Sequence, residues 1–275
     1  MSASQKRWLL FAVTCAALVL CYWKVIAGMI DQWTNDEDMG HGFLVPFVIG
    51  FVVWRERKRW TQLEFEPSAW GIVLMLAAIG MHMVSAIGAG LFAGSVAMLV
   101  SIMGAVLCLG GWKLLRTWSF PIVLMLFMLP KLAVLYNQAT LPMQLLASQM
   151  AAGMLTMTGV GVIRNGNVLD VGGHQVAVAE ACSGIRYLMP LGFMGVVFGY
   201  LADTRAWMRL VLLVWALPVA IVANAVRVAF SAYSPKLADG TWHALLGLVI
   251  FVLCLITFIP VRSLWNRLVG GLSHA

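Results

Sequence analysis

Apolar runs recur along nearly the whole of this 275-residue chain. Runs of roughly 18 residues or more cross a hydrocarbon core about 30 Å thick as helices. Lipid offers no partner to a free backbone N–H or C=O, so a run of that length has to satisfy its own backbone, which a helix does. The runs fall near residues 8–30, 42–54, 69–88, 91–111, 118–135, 184–201, 208–229 and 243–261. The second is short alone and draws Trp54 and the first basic residues into its boundary. The expected fold is therefore an all-α polytopic membrane protein of about eight transmembrane helices. With 62% hydrophobic and 11% charged residues, no soluble domain of ordinary size fits between the runs, and residues 1–275 read as one integral membrane domain. Lys6 and Arg7 precede the first run as in a signal peptide, but it continues through Ile30 without a small-residue cleavage pattern and reads as a retained helix. Leu20 before Cys21 likewise argues against a lipoprotein site.

The net charge of +7 is informative through its placement. With the N-terminus inside, the cytoplasmic segments collect Lys6, Arg7, Arg55, Arg57, Lys58, Arg59, Lys113, Arg116, Arg205, Arg209, Arg262 and Arg267, the bias that orients helices in membranes. The opposite side receives Asp31, Asp36, Glu37, Asp38, Asp170, Glu180 and Asp239. Both termini are then cytoplasmic, and the basic charge reads as topology and contact with membrane lipids, with no nucleic-acid partner. Two arginines escape that explanation. Arg186 and Arg227 fall near the outer ends of their helices, where a guanidinium costs at least a few kcal/mol unless it meets a cavity or partners. A structural ion pair, for example of Arg186 with Glu180, is the bland account; a functional site is the sharper one.

Residues 136–182 form the longest polar connection, on the extracytoplasmic side. Gln144, Ser148 and Gln149 recur at helical spacing among apolar residues, which predicts either an amphipathic interfacial helix or one packed inside the bundle. Then VGVIRNGNVLDVGGHQVAVAE alternates β-favouring runs with Asn165-Gly166 and Gly172-Gly173, a pattern that predicts a small three-stranded β-ribbon before the sixth span. Its last strand delivers the chain to Glu180 and Cys182, at a strand-to-helix junction where free N–H groups and the helix dipole favour a thiolate.

Two more segments end at that face: NAVRVAF, with Asn224 and Arg227, and GTWHALLG, with His243. Cys182, Arg227 and His243 thus come from three helices to one membrane depth. A histidine can take a thiol proton and return it to a leaving amine, and an arginine aimed at the reacting carbonyl stabilises its oxyanion. Asn224 shares a helix face with Arg227 and can orient either Arg227 or His243. Arg186 can hold Glu180, lower the thiol pKa or bind a substrate carboxylate, and the sequence leaves these open.

EACSGIRYL, NAVRV and WHALLG together resemble the three signature segments of the exosortase/archaeosortase family, and DMGHGFLVPFVIGFVVWRER, residues 38–57, resembles its N-terminal pattern. The resemblance, which covers most of the chain, implies a bacterial membrane cysteine protease/transpeptidase of the cytoplasmic (inner) membrane, with its active site at the extracytoplasmic face. It implies substrates that are exported proteins with a C-terminal sorting signal: a short PEP-CTERM-like motif, a transmembrane helix and a basic tail. Cys182 would be the nucleophile that forms an acyl-enzyme thioester, Arg227 the transition-state arginine and His243 the general acid/base. An acceptor amine, glycan or lipid would resolve the thioester, and no cofactor is implied. His41 matches the N-terminal pattern and is a candidate for substrate contact or for capping the second helix. Tyr187 departs from the small residue found there in many members, and an ending soon after the eighth span leads us to expect none of the extra C-terminal domain some members carry.

Two rivals differ in chemistry. A transporter or channel with an arginine-lined outer cavity would also keep intramembrane arginines, but no inverted repeat is evident and the polar residues gather at one face instead of the bilayer middle. Ser183 could replace Cys182 as nucleophile, although a serine there also suits helix capping. Five cysteines standing singly at 15, 21, 108, 182 and 254 make neither a disulfide framework nor a zinc pattern, and His82, His174 and His274 are too scattered to predict a metal site.

Overall fold

A computed structural model describes residues 3–178, 184–203, 205–237 and 240–272. Glu180, Cys182, Ser183, Asp239 and His274 lie outside the described residues. The chain divides into two compact units, Met1–Leu132 and Ala133–Ala275.

The first unit holds α1 (Ala3–Cys21), α2 (Trp23–Asn35), α3 (Leu44–Arg55), α4 (Arg57–Thr61), α5 (Trp70–Val84), α6 (Gly90–Thr117) and α7 (Ser119–Met125). The expected first span is bent by 69° between α1 and α2. Tyr22, at the break, is buried and shares a 2.7 Å hydrogen bond with the Ser101 hydroxyl of α6. Beyond it Val25, Met29 and Trp33 repeat every fourth residue and form the buried face of α2. Helices α5 and α6 approach closely because Gly71 and Gly104 face each other, a β-carbon on Gly71 falling 2.6 Å from the Gly104 carbonyl.

The expected fifth span, 118–135, divides. A short 3₁₀ turn at Leu126–Met128 follows α7, the chain is non-helical at residues 129–132, and α8 (Ala133–Met157) starts anew. Pro130 has no N–H to give a helix, and Lys131 is drawn aside by Asp36 and Asp38, at 2.6 and 2.8 Å. Burial pulls the Lys131 amine down, but hydrogen bonds and charge from the two aspartates outweigh it and hold it above the ordinary lysine value.

The second unit contains α8, strands β1 (Val162–Asn165), β2 (Val168–Val171) and β3 (His174–Ala177), then α9 (Ile185–Ala202), α10 (Ala206–Tyr233), α11 (Gly240–Ile256) and α12 (Phe258–Leu272). The strands form an antiparallel sheet in the order β1-β2-β3, pairing Asn165 with Val168 and Val171 with His174. Gly172 and Gly173 both take positive φ in the second turn, as the sequence leads one to expect. The first turn is Gly166-Asn167, one residue later than the Asn165-Gly166 pair suggested.

The helix before the sheet packs one face only: Gln149, the third residue of its polar set, is exposed, as are Leu141, Leu145 and Leu146. Gln144 and Ser148 are buried, and Ser148 donates to the Gly166 carbonyl at 2.9 Å, so the polar stripe of α8 holds the first hairpin turn. Ala147, Ala151 and Leu155 pack on the neighbouring stripe with Val228, Ala229 and Ala232 of α10. Helices α9 and α10 meet at glycines: a β-carbon on Gly195 would lie 3.0 Å from the Leu212 carbonyl, and one on Gly199 3.0 Å from Arg209 Cα. Ala216, Ala220 and Ala223 keep the facing stripe of α10 small within a core that Tyr187, Leu191, Leu212, Ile250 and Phe258 complete.

Among the described residues five helical stretches, Trp70–Gly88, Gly90–Thr117, Ile185–Ala202, Ala206–Tyr233 and Gly240–Arg267, are long and apolar enough to cross a membrane, and the bent pair at the N-terminus makes a sixth if it counts as one span. The helices Gly40–Arg55 and Ser119–Met128 are apolar but shorter. The chain is thus a mostly helical integral membrane protein with one small sheet.

Candidate active site

Gly184, two residues beyond Cys182, is the left-handed residue that opens α9, with φ +86°. A β-carbon there would stand 3.1 Å from Asn224 Cβ, so the start of α9 abuts α10 at Asn224. Asn224 is 1% exposed and Arg227, one turn on, 5% exposed. Among the described residues no carboxylate pairs with Arg227, and its Nε has no hydrogen-bond acceptor. Its nearest support is an aromatic face: the guanidinium carbon lies 5.5 Å from the centroid of the Tyr187 ring, within cation–π range.

The third segment reaches the same place through Gly247. A β-carbon on Gly247 would lie 3.1 Å from the Tyr187 hydroxyl and 3.4 Å from Arg227 Cζ, so the guanidinium and the phenol occupy the room this glycine leaves. His243 is one helical turn before Gly247 on α11 and half-buried. Its Nδ1 lies 2.8 Å from the Leu237 carbonyl, in the 3₁₀ turn that follows α10. A carbonyl only accepts, so Nδ1 carries the proton and donates; in the neutral ring the Nε2 lone pair is then left for other work. The same carbonyl accepts from the Ser231 hydroxyl at 3.2 Å, and Ser231 is one turn beyond Arg227. Buried Ser231 thus links the arginine helix to the turn that orients the histidine.

Arg186 is half-buried in the first turn of α9 and engaged in interactions of its own. Of the residues expected at the site, Asn224 and Arg227 meet the opening of α9 and the glycine face of α11, and His243 is tied to the end of α10. Cys182, Glu180 and Ser183 lie outside the described residues. Sequence reading did not single out Tyr187, Ser231 or Gly247 for these roles. A tyrosine beside an arginine at a helix start, a serine four residues after Arg227 and a glycine four after His243 were the available signals.

His41 belongs to the first unit. It sits in the 3₁₀ turn Gly40–Phe43, and its Nε2 is 3.0 Å from the Phe127 carbonyl, which ties this turn to the 3₁₀ turn after α7. The start of α3 has no side-chain cap, so the capping alternative is not what the side chain does. No group of three or more His, Cys, Asp or Glu side chains among the described residues is placed to hold a metal. His82 packs against Tyr22 instead, and His174 is exposed on β3.

Compared with known families, residues 33–260 match the model of the transmembrane exosortases. The chain belongs to the transmembrane exosortase family. The exosortase match takes in the turn that carries His41, the helices that carry Arg186, Arg227 and His243, and the sheet. Neither the curated proteins nor the solved structures give a match. Exosortase membership agrees with the apolar helices in making this an integral membrane protein, and it supports a membrane transpeptidase in general.

Proposed function

We propose that this exosortase-family chain is a cysteine transpeptidase of the cytoplasmic membrane that cleaves the C-terminal, PEP-CTERM-like sorting signals of exported proteins. The observation that carries this reading is Arg227: a buried cation with no paired carboxylate among the described residues, held on an aromatic ring beside the helix that Cys182 leads into. Burying a guanidinium without an acid is unfavourable by several kcal/mol. An arginine so placed suits negative charge that appears only during reaction, such as the oxyanion of a tetrahedral intermediate.

In this reading the Cys182 thiol gives its proton to His243 Nε2, and the sulfur attacks the scissile carbonyl carbon. Arg227 stabilises the resulting oxyanion. His243 returns the proton to the leaving amine as the C–N bond breaks, which leaves a thioester on Cys182. An acceptor amine, or a hydroxyl from a glycan or lipid, then attacks the thioester and gives its proton to His243, which passes it to the sulfur as the C–S bond breaks and so regenerates the thiol. The Leu237 carbonyl keeps Nδ1 protonated throughout. Asn224 and Arg186 flank the junction as positioning groups. The eight-pass topology expected from the hydropathy pattern, with both termini cytoplasmic and the sheet and active site outside, is part of this reading.

The test is co-expression with a protein that carries such a signal. Cys182→Ala is expected to abolish processing, whereas Ser183→Ala retains much of it. The reverse result would favour serine chemistry, and unaltered processing in both would remove this segment from the reaction.

A further inference from the structure

The end of the second unit opposite to Arg227 carries a separate cluster. Ile259, Arg262, Ser263, Asn266 and Arg267 line a cleft of about 410 Å³. They recur at spacings of three and four on α12, so one helical stripe presents two guanidinium groups, a hydroxyl and an amide together. No acidic residue occurs anywhere in α12. Arg262 Nε and Asn266 Oδ1 are both enclosed and have no hydrogen-bond partner among the described residues. The first lacks an acceptor and the second a donor. Beside the cleft, Trp265 of α12 packs 5.4 Å from Trp207 of α10, and Arg205 lies 6.0 Å over the Trp207 ring. Paired tryptophans with arginines at the ends of apolar helices mark headgroup depth in a bilayer.

We infer that this cleft is a phosphate-binding site, filled by the phosphodiester of an anionic phospholipid whose headgroup also bears a hydroxyl. Arginine forks grip phosphate oxygens through paired N–H donors, which gives Arg262 Nε its acceptor. A headgroup hydroxyl gives Asn266 its donor. A zwitterionic choline headgroup offers neither net charge nor a hydroxyl and places a quaternary cation among arginines. The site is far from the proposed chemistry in the chain and does not depend on it; it rests only on insertion of the helices in a membrane.

The experiment measures lipid binding to the delipidated full chain in nonionic detergent, by native mass spectrometry, with phosphatidylglycerol and phosphatidylcholine as probes. Phosphatidylglycerol is expected to bind preferentially. Arg262→Gln and Arg267→Gln should each weaken it about fivefold. Asn266→Leu, which changes no charge, should weaken it at least threefold; diffuse attraction to a basic helix would leave that variant at wild-type affinity. Each variant is first checked for an unchanged elution profile and melting temperature. Phosphatidylglycerol binding that excess inorganic phosphate fails to displace supports the lipid as occupant. Displacement by inorganic phosphate supports the phosphate site but assigns it to the free ion. Equal binding of both lipids, or wild-type affinity in Arg262→Gln and Asn266→Leu, overturns the proposal.

Discussion

At the scale of single residues, Arg227 is held by a ring and a gap, with no acid paired to it among the described residues. Tyr187 supplies the ring and Gly247 the gap. Arg227→Lys keeps the charge but loses the planar fork and its spread of donors. It is expected to lower kcat by about 10²–10³-fold, the loss typical of an oxyanion donor, with wild-type folding; wild-type turnover would remove Arg227 from the chemistry. Gly247→Ala separates positioning from stability. Alanine favours a helix over glycine by roughly 0.8–1 kcal/mol, so the melting temperature should hold. Its methyl would sit 3.1 Å from the Tyr187 hydroxyl and 3.4 Å from Arg227 Cζ, which must move by a few tenths of an ångström. Processing is expected to fall several-fold at unchanged expression and stability. Unchanged processing would mean that the geometry around the guanidinium is not critical.

At the scale of elements, the non-helical segment after α7 is tied by charge within the first unit. Lys131 lies between Asp36 and Asp38, and all three side chains are a quarter exposed or less. Lys131→Met leaves two partly enclosed carboxylates facing each other, and is expected to destabilise the first unit by about 1–3 kcal/mol. Adding Asp36→Asn and Asp38→Asn should recover most of that, as read by thermal unfolding in detergent. No recovery would show that the charges are not the cause. This segment also shows where the sequence was opaque. Hydropathy ran through Pro130 and Lys131 as one span, because the aspartates that draw Lys131 aside lie more than ninety residues earlier. The bend at Tyr22 was hidden likewise, since its bond to Ser101 is a contact between helices. Turn chemistry is local, so the Gly172-Gly173 turn and all three strands were legible, whereas the first turn slipped by one residue because glycine and asparagine both suit it.

At the scale of the whole molecule, the polar segments of α9, α10 and α11 could be read as one site because each combines an ionisable or polar residue with the start or end of an apolar run. Their convergence at Gly184, Asn224, Arg227 and Gly247 follows from small residues that let the three helices close up. The supports of the site were not legible: a tyrosine ring, a main-chain carbonyl and the hydroxyl of Ser231 carry no motif. The account stands on Cys182 carrying the acyl group between cleavage and transfer. Incubating the purified chain with a sorting-signal peptide, without acceptor, and digesting it for mass spectrometry tests this directly. The account predicts the amino-terminal fragment of the peptide attached to Cys182 and released by hydroxylamine; an adduct on Ser183, or cleavage in Cys182→Ala at the wild-type rate, would contradict it.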